Sequence, residues 1–326
     1  MNYFQNRRMS VKWHGCQSVP KEIKGGGPQG ATLGLIEYLS QTNNNVDFVD
    51  LKDKFKFIDD LSLLELLNIL TIGIASHNSK NQVPNDIPVE NQIIPSEDLE
   101  TQDWLDQINE WTDNQKMLVN VKKTKAMIFN FLKQYEFTVR LTLKNENIEV
   151  VDRTKLLGTI ICSDLKWERN TEALVKKGNS RLALLRKVSA FDPPIQDLKE
   201  IYILFVRSVL EQSSVVWHSG ITVEQRQNLE RVQKSALRII MKNKYTTYKD
   251  ALKYLGLETL EDRRRMLCLN FAKRCVENPK LKHMFPKVEK KYNTRNKETF
   301  KVNFAHTDRY KKSAIPYMQR LLNEIT

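Results

Sequence analysis

The sequence predicts an α+β protein, and three observations carry that prediction. Its first half holds short runs with strand-like alternation, the clearest being LKDKFKFI over residues 51–58. From Lys166 onward helical periodicity takes over. The charge balance reverses between the halves. Residues 1–150 carry 16 Lys+Arg against 20 Asp+Glu, and residues 151–326 carry 36 against 19. Opposite balances in two regions point to two different jobs.

The elements follow in chain order. Residues 1–27 are polar and end in a glycine run before Pro28, a breaker followed by a proline suited to a first helical turn. Gln29 to Gln41 then reads as a short helix with Leu33, Ile36 and Leu39 or Tyr38 on one side. Phe55 and Phe57 alternate with lysines, so residues 51–58 read as a strand. Asp59-Asp60 follows, and then a second apolar run from Leu61 to Ala75. Three prolines make residues 77–98 a loop or insertion. Leu99 to Met117 reads as a helix, with Trp104, Ile108 and Trp111 at spacings of four and three. Ala126 to Phe131, Glu136 to Leu143, Asn147 to Val151 and Leu156 to Cys162 read as short strands.

In the helical part, Pro193-Pro194 separates two helices, and Thr222 with Gln225 forms a capping box that opens another. Leu229, Val232, Ala236 and Ile240 make an apolar stripe along that helix. Residues 287–312 are basic and irregular, and Ile315 to Glu324 reads as a last helix. The expected domains are 1–165, 166–285 and a basic C-terminal tail with a short helix over 286–326.

Composition excludes several classes. Hydrophobic residues are 40% of the chain and aromatics 9%, too many for a disordered polymer. No run reaches the roughly 18 apolar residues of a membrane span. The nearest, Leu61 to Ala75, is interrupted by Ser62, Glu65 and Asn68. The N-terminus MNYFQNRRMS has no apolar stretch of the secretory kind. Cys16, Cys162, Cys268 and Cys275 show no CxxC spacing, and the five histidines are isolated. Neither a disulfide framework nor a zinc site is expected, and a reducing, intracellular setting is the default, with nucleus and cytoplasm both open. Arg263-Arg264-Arg265 is a candidate nuclear address. A net charge of +13 favours polyanionic partners, nucleic acid first and anionic membrane second.

Two motifs carry candidate chemistry. Adjacent carboxylates at Asp59 and Asp60, at a hairpin tip, concentrate negative charge that a divalent metal relieves, and Mg²⁺ prefers carboxylate and phosphate oxygens. Upstream stands Gly26-Gly27-Pro28-Gln29-Gly30-Ala31-Thr32-Leu33-Gly34. There, glycines allow close backbone approach and the following helix start favours phosphate.

GGPQGATLG resembles a palm motif of reverse transcriptases, and Phe57-Ile58-Asp59-Asp60 resembles their Tyr/Phe-x-Asp-Asp box. Asn120 to Phe129, and Lys155-Leu156-Leu157-Gly158 through Leu165-Lys166-Trp167, resemble stretches of the non-LTR (LINE-type, jockey-like) retrotransposon enzymes. So do IYILFVRSVLEQSSVVWHSGIT and LERVQKSALRIIM. The resemblance covers about residues 24–285. It implies a polymerase palm, an antiparallel sheet with helices, followed by an all-helical thumb-like region. The implied activity is RNA-directed DNA synthesis, a Mg²⁺-dependent nucleotidyl transfer. Its implied partners are an RNA template, an RNA–DNA or DNA primer duplex and deoxynucleoside triphosphates, with no membrane.

Residue by residue, the resemblance makes Asp59 a metal ligand with Asp60 its neighbour. Gly26, Pro28, Gln29 and Gly30 shape the pocket for nucleotide and template. Lys123 stands near the triphosphate as a proton donor, and Leu157 and Gly158 contact the primer end. In the basic half, Lys176, Lys177 and Arg181, with Arg231, Lys234, Arg238 and Lys242, are expected to face the nucleic-acid backbone.

The sequence departs from the family in one respect. The palm needs a further aspartate on a strand before the glycine motif, and no Asp precedes Asp47. The expectation is therefore an N-terminally truncated enzyme that polymerises poorly or not at all by itself. Two other readings stay open: a non-catalytic nucleic-acid-binding remnant, or a helical interaction module.

Overall fold

The computed structural model describes residues 8–10, 12–13, 16–22, 54–57, 60–65, 91–94, 99–131, 136–288 and 299–325. The chain forms two compact units. The first comprises residues 1–128 and 132–150, and the second comprises 129–131 and 151–326. The division falls after Val150, ahead of the residue 165 expected from sequence, because the hairpin that follows packs with the helices.

In the first unit the described strands pair two by two. β1 (Arg8–Met9) pairs with β4 (Lys21–Glu22), and β2 (Lys12–Trp13) with β3 (Cys16–Gln17). β5 (Lys54–Phe57) and β6 (Asp60–Leu63) form a hairpin with Phe57 opposite Asp60. β7 (Asn91–Ile94) lies within the segment expected to be a loop, and it pairs in parallel with β9 (Glu136–Val139). Helix α1 (Glu100–Asn114) comes between them in sequence, and β8 (Lys125–Ala126) follows it. β10 (Thr142–Leu143) turns back onto β11 (Glu146–Asn147) through Lys144 and Asn145, both at positive φ. β12 (Glu149–Val150) pairs in parallel with β8.

No sheet of three strands forms among the described residues, so the single antiparallel sheet of a palm is not seen there. The strands are two to four residues long, and two of the pairs, β7–β9 and β8–β12, are parallel and join segments far apart in sequence. What holds this unit is α1. Trp104, Leu105 and Ile108 are buried, and Leu105 packs with Ile94, Leu99, Leu141, Leu143 and Ile148. Gln102 is buried on the same helix and exchanges two hydrogen bonds with β10. Its Nε2 donates to the Thr142 carbonyl (3.1 Å), and its Oε1 accepts from the Thr142 N–H (2.9 Å). Leu99 offers the helix start no side-chain cap. Glu65 supplies one from a distant segment, accepting from the Glu100 and Thr101 N–H groups at 3.1 and 3.0 Å. A carboxylate there also complements the helix dipole.

The second unit begins with the hairpin β13 (Arg153–Leu156) and β14 (Thr159–Cys162). Helix α2 (Glu168–Ser189) ends before Pro193-Pro194, as expected, and α3 (Ile195–Ile201) starts immediately after. α3 continues through a π-helical stretch, Tyr202–Arg207, into α4 (Ser208–Glu211). α5 (Ser214–Trp217) and a 3₁₀ turn, His218–Gly220, lead to α6 (Val223–Met241), which opens on the expected Thr222–Gln225 capping box. α7 (Tyr248–Leu255), α8 (Leu260–Glu277), α9 (Asp308–Lys311) and α10 (Ala314–Asn323) complete it.

The main core joins Leu182 and Leu185 of α2, Tyr202, Val206 and Leu210 of the α3–α4 rod, and the full stripe of α6. Leu229, Val232, Ala236 and Ile240 are all buried, as their spacing predicts. A second cluster packs Cys268, Leu269, Ala272 and Cys275 against Phe285, Phe300, Met318, Leu321 and Leu322. The C-terminal segment is therefore part of the helical unit, because α10 brings an apolar face of its own to α8. Among the described residues no helix is long and apolar enough to cross a membrane.

Candidate nucleic-acid interface

α2 and α6 run side by side in the same direction. Gly178 allows the approach, since a Cβ there would meet Leu210 Cδ2 at 3.0 Å and Val232 Cγ1 at 3.1 Å. Further along, Ser189 Oγ donates to the Ile239 carbonyl (3.3 Å). The outer edge of this contact is polar and basic. Val175, Asn179, Asn228, Arg231, Val232 and Ser235 line a cavity of about 250 Å³ on the seam. A larger groove of about 1240 Å³ continues from it past Lys176, Asn179 and Asn228 to Trp167 and the start of α10. Arg186 stands two helical turns beyond Asn179, and Arg238 two turns beyond Arg231, both exposed. The rim also carries carboxylates at its open end, including Glu168 and Glu224 in the first turns of α2 and α6. The positive stretch is thus the narrow part of the seam.

A buried network fixes which face of α6 turns outward. Gln233 sits on the apolar stripe and is fully buried. Tyr202 Oη donates to its Oε1, and its Nε2 donates to Tyr248 Oη (2.6 Å) and to the Glu258 carbonyl (2.9 Å). Tyr248 also donates to Glu230, whose two oxygens accept from the Leu260 N–H at 3.2 Å each and so cap α8. Burial, then the bond to Glu230, holds the Tyr248 hydroxyl well above its ordinary pKa, and burial does the same for Tyr202. Both phenols therefore stay protonated donors.

The expected backbone-facing residues separate into three groups. Lys176, Arg231 and Arg238 are exposed along the seam. Arg231 Nη1 donates to Asn228 Oδ1 (2.7 Å), and the Arg238 guanidinium lies 5.4 Å from the Tyr245 ring centroid. Lys234 is half-buried, its ammonium 5.1 Å from the Tyr248 ring centroid, and faces α7. Lys177 and Arg181 lie on the opposite flank of α2, where Arg181 Nη1 donates to the Phe205 carbonyl. Lys242 lies past the helix end rather than on its outer stripe. It follows the last residue of α6 at φ 47° and pairs with Asp192 (2.7 Å). The hydrogen bond from Lys242, with its charge, keeps the Asp192 carboxyl below its ordinary pKa.

Leu157 and Gly158 form the two-residue tip of the β13–β14 hairpin, at φ 47° and 88°, the signs a type I′ turn requires. Leu157 is half-exposed, and Gln212 Nε2 donates to its carbonyl at 3.5 Å. Lys123 is exposed at the end of the 3₁₀ turn Val121–Lys123, whose start is capped by Asn120. Asp60 opens β6, whereas Asp59, Gly26, Pro28, Gln29 and Gly30 lie outside the described residues. Among the described residues no three His, Cys, Asp or Glu side chains gather as a metal centre would need.

The three arginines of the run have different surroundings. Arg263 pairs with Glu211 (3.1 Å), Arg265 pairs with Glu324, and Arg264 is fully buried. The Arg264 guanidinium lies 5.6 Å from the Trp217 ring centroid, and its Nε donates to His218 Nδ1 (3.4 Å). Burial, reinforced by Arg264 and Arg226, lowers the His218 pKa to about 3, so this imidazole is neutral at pH 7. Residue spacing carried the signal for both buried polar groups. Arg264 lies midway between Leu260 and Cys268, and Gln233 lies between Leu229 and Leu237 at intervals of four.

No family model, no curated protein and no solved structure matches the chain.

Proposed function

We propose that the chain is a reverse-transcriptase-like protein of the non-LTR retrotransposon kind, and that its helical unit holds a template–primer duplex by the phosphate backbone. One observation supports the binding part above all: the α2–α6 seam, with Lys176, Arg186, Arg231 and Arg238 exposed and Asn179, Asn228 and Ser235 between them. Cations there neutralise phosphates, and the amides and the hydroxyl donate to phosphate oxygens. Such contacts position a duplex and read no sequence.

The ordered set of motifs supports the enzyme-family part, from Gly26-Gly27-Pro28 through Phe57-Ile58-Asp59-Asp60 to Leu157-Gly158. Nucleotidyl transfer with magnesium belongs to that resemblance. The described residues do not assemble a ligand set for the metal, and no step of the proposal runs through it.

The test is fluorescence anisotropy with an RNA–DNA hybrid at low salt. Binding is expected, with the same affinity in Asp59→Ala, and no binding at low salt would contradict the proposal. Primer extension on an RNA template is the companion assay. None is expected from this 326-residue chain, and extension abolished by Asp59→Ala would show a working catalytic site.

A further inference from the structure

The α3–α4 rod passes through a π-helical stretch, Tyr202–Arg207. Leu198, Tyr202 and Val206 are buried at intervals of four, and Val209 and Leu210 continue the buried side. Phe205, next to this stripe, is left 49% exposed. Leu204, beside it, is 65% exposed. π-turns of this kind interrupt helices at functional sites often enough to mark the position.

The neighbouring helix matches it. Arg181 of α2 joins the two elements through the Phe205 carbonyl. One turn further along α2, Leu184 is 47% exposed, and beyond the helix end Phe191 is 86% exposed. Lys177 and Leu184 are seven residues apart and share one side of α2, with Lys187 one turn from Leu184. Single exposed apolar residues are ordinary, but Leu184, Leu204 and Phe205 on two joined elements with a cationic border are not. Acids on this side include Glu200 of α3, where Gln196 Nε2 donates to it (3.4 Å), and Asp192 after Phe191, which pairs with Lys242.

We infer that this flank docks an acidic amphipathic helix of a partner protein. The helix's apolar side would cover Leu184, Leu204 and Phe205, and its carboxylates would meet Lys177, Arg181 and Lys187. The chemistry selects that occupant. A helix's apolar side covers the leucines and Phe205 together, whereas nucleic acid would stack on the phenylalanine and leave Leu184 and Leu204 uncovered. A second copy of the chain would bring Lys177, Arg181 and Lys187 against their own equivalents, which like charge opposes. The α2–α6 seam, on the other side of α2, is left free.

The probe is a fluorescein-labelled designed helix of about fourteen residues. It carries Leu or Phe at i, i+3, i+4 and i+7 and Asp or Glu elsewhere, with a Lys/Arg-flanked counterpart as the comparison. The full chain is expected to bind the acidic peptide and to prefer it over the basic one. Leu204→Ser/Phe205→Ser is expected to weaken binding about tenfold or more. Lys177→Glu, a surface change that leaves the core intact, is expected to weaken it and to flatten its salt dependence. Unchanged thermal melting of both variants confirms that the fold is kept. The inference is overturned if the acidic peptide fails to bind, or if the variants bind it as well as the parent. It is also overturned if the basic peptide binds equally, if the serine variant loses affinity for single-stranded DNA instead, or if it dissociates a homodimer.

Discussion

The two flanks of α2 face solvent beside different neighbours and have opposite chemistry. Toward α6 the surface is polar and cationic, with Asn179, Asn228, Arg231, Ser235 and Arg238 around a narrow cavity. Toward the π-turn it is apolar, with Leu184, Leu204 and Phe205 beside Lys177 and Arg181. Both flanks carry cations, so net charge alone does not distinguish them. The groups between the cations do: amides and a hydroxyl suit phosphate oxygens, whereas leucines and phenylalanine suit a partner that desolvates them.

The largest effect is expected from a change that removes both flanks at once. Leu182 is buried between α2 and its neighbours, and Leu182→Ala should cost about 2–5 kcal/mol in chemical denaturation. If that loss abolished binding on one flank alone at sub-denaturing conditions, the flanks would not share the α2 scaffold.

A smaller effect sharpens the contrast from the hairpin side. Gly158 sits at φ 88°, and a Cβ there would come within 2.2 Å of the mobile Gln212 amide, which can swing away. The remaining cost of Gly158→Ala is that of the left-handed backbone, about 1–2 kcal/mol. It should appear in thermal melting with duplex affinity unchanged. A large loss of duplex affinity would instead give the hairpin tip a direct contact.

Acid pH gives the next test. His218 has a folded pKa of about 3, below its ordinary value of 6.5, so the unfolded chain binds more protons between those values. Its contribution to stability is complete above pH 6.5 and is lost as pH falls from 6.5 toward 3. The melting temperature should therefore fall less in His218→Gln than in the parent across that window. Parallel curves would mean that His218 titrates normally.

The smallest effect is expected at Lys242. Asp192 already holds this ammonium on the surface, so Lys242→Ala should leave duplex affinity and its salt dependence unchanged. A drop comparable to that of Arg231→Ala would extend the seam past the end of α6.

Much of the helical unit was legible in the sequence, because its signals are local. The stripe Leu229, Val232, Ala236 and Ile240 is buried, Thr222 and Gln225 form their reciprocal cap, and Pro193-Pro194 marks a helix boundary. What sequence reasoning missed depends on partners far along the chain. Glu65 caps a helix from another segment, and β7 finds its partner in β9 across the whole of α1. The run Arg263-Arg264-Arg265 read as a candidate nuclear address, and tertiary contacts with Glu211, Trp217 and Glu324 that no local pattern shows engage all three. The basic stripe of α6 was half legible. Helical spacing placed Arg231 and Arg238 outward, but Lys234 leans on Tyr248 and Lys242 lies past the helix end. The exposure of Leu204 and Phe205 was missed because nearly every residue of IYILFVRSVL is apolar, so periodicity does not divide the run into buried and exposed sides. Of the motif residues, Gly26, Pro28, Gln29, Gly30 and Asp59 lie outside the described residues, so their reading rests on resemblance alone.

The seam's role is tested most directly by the salt dependence of binding to an RNA–DNA hybrid, measured for the parent chain and for Lys176→Ala/Arg231→Ala/Arg238→Ala. The parent's affinity should fall steeply as salt rises. Each lost phosphate contact removes about 0.9 from the log–log slope, so the triple variant should bind more weakly with a slope reduced by about two to three. Equal affinity and equal slope in the two proteins would contradict the assignment of the α2–α6 seam.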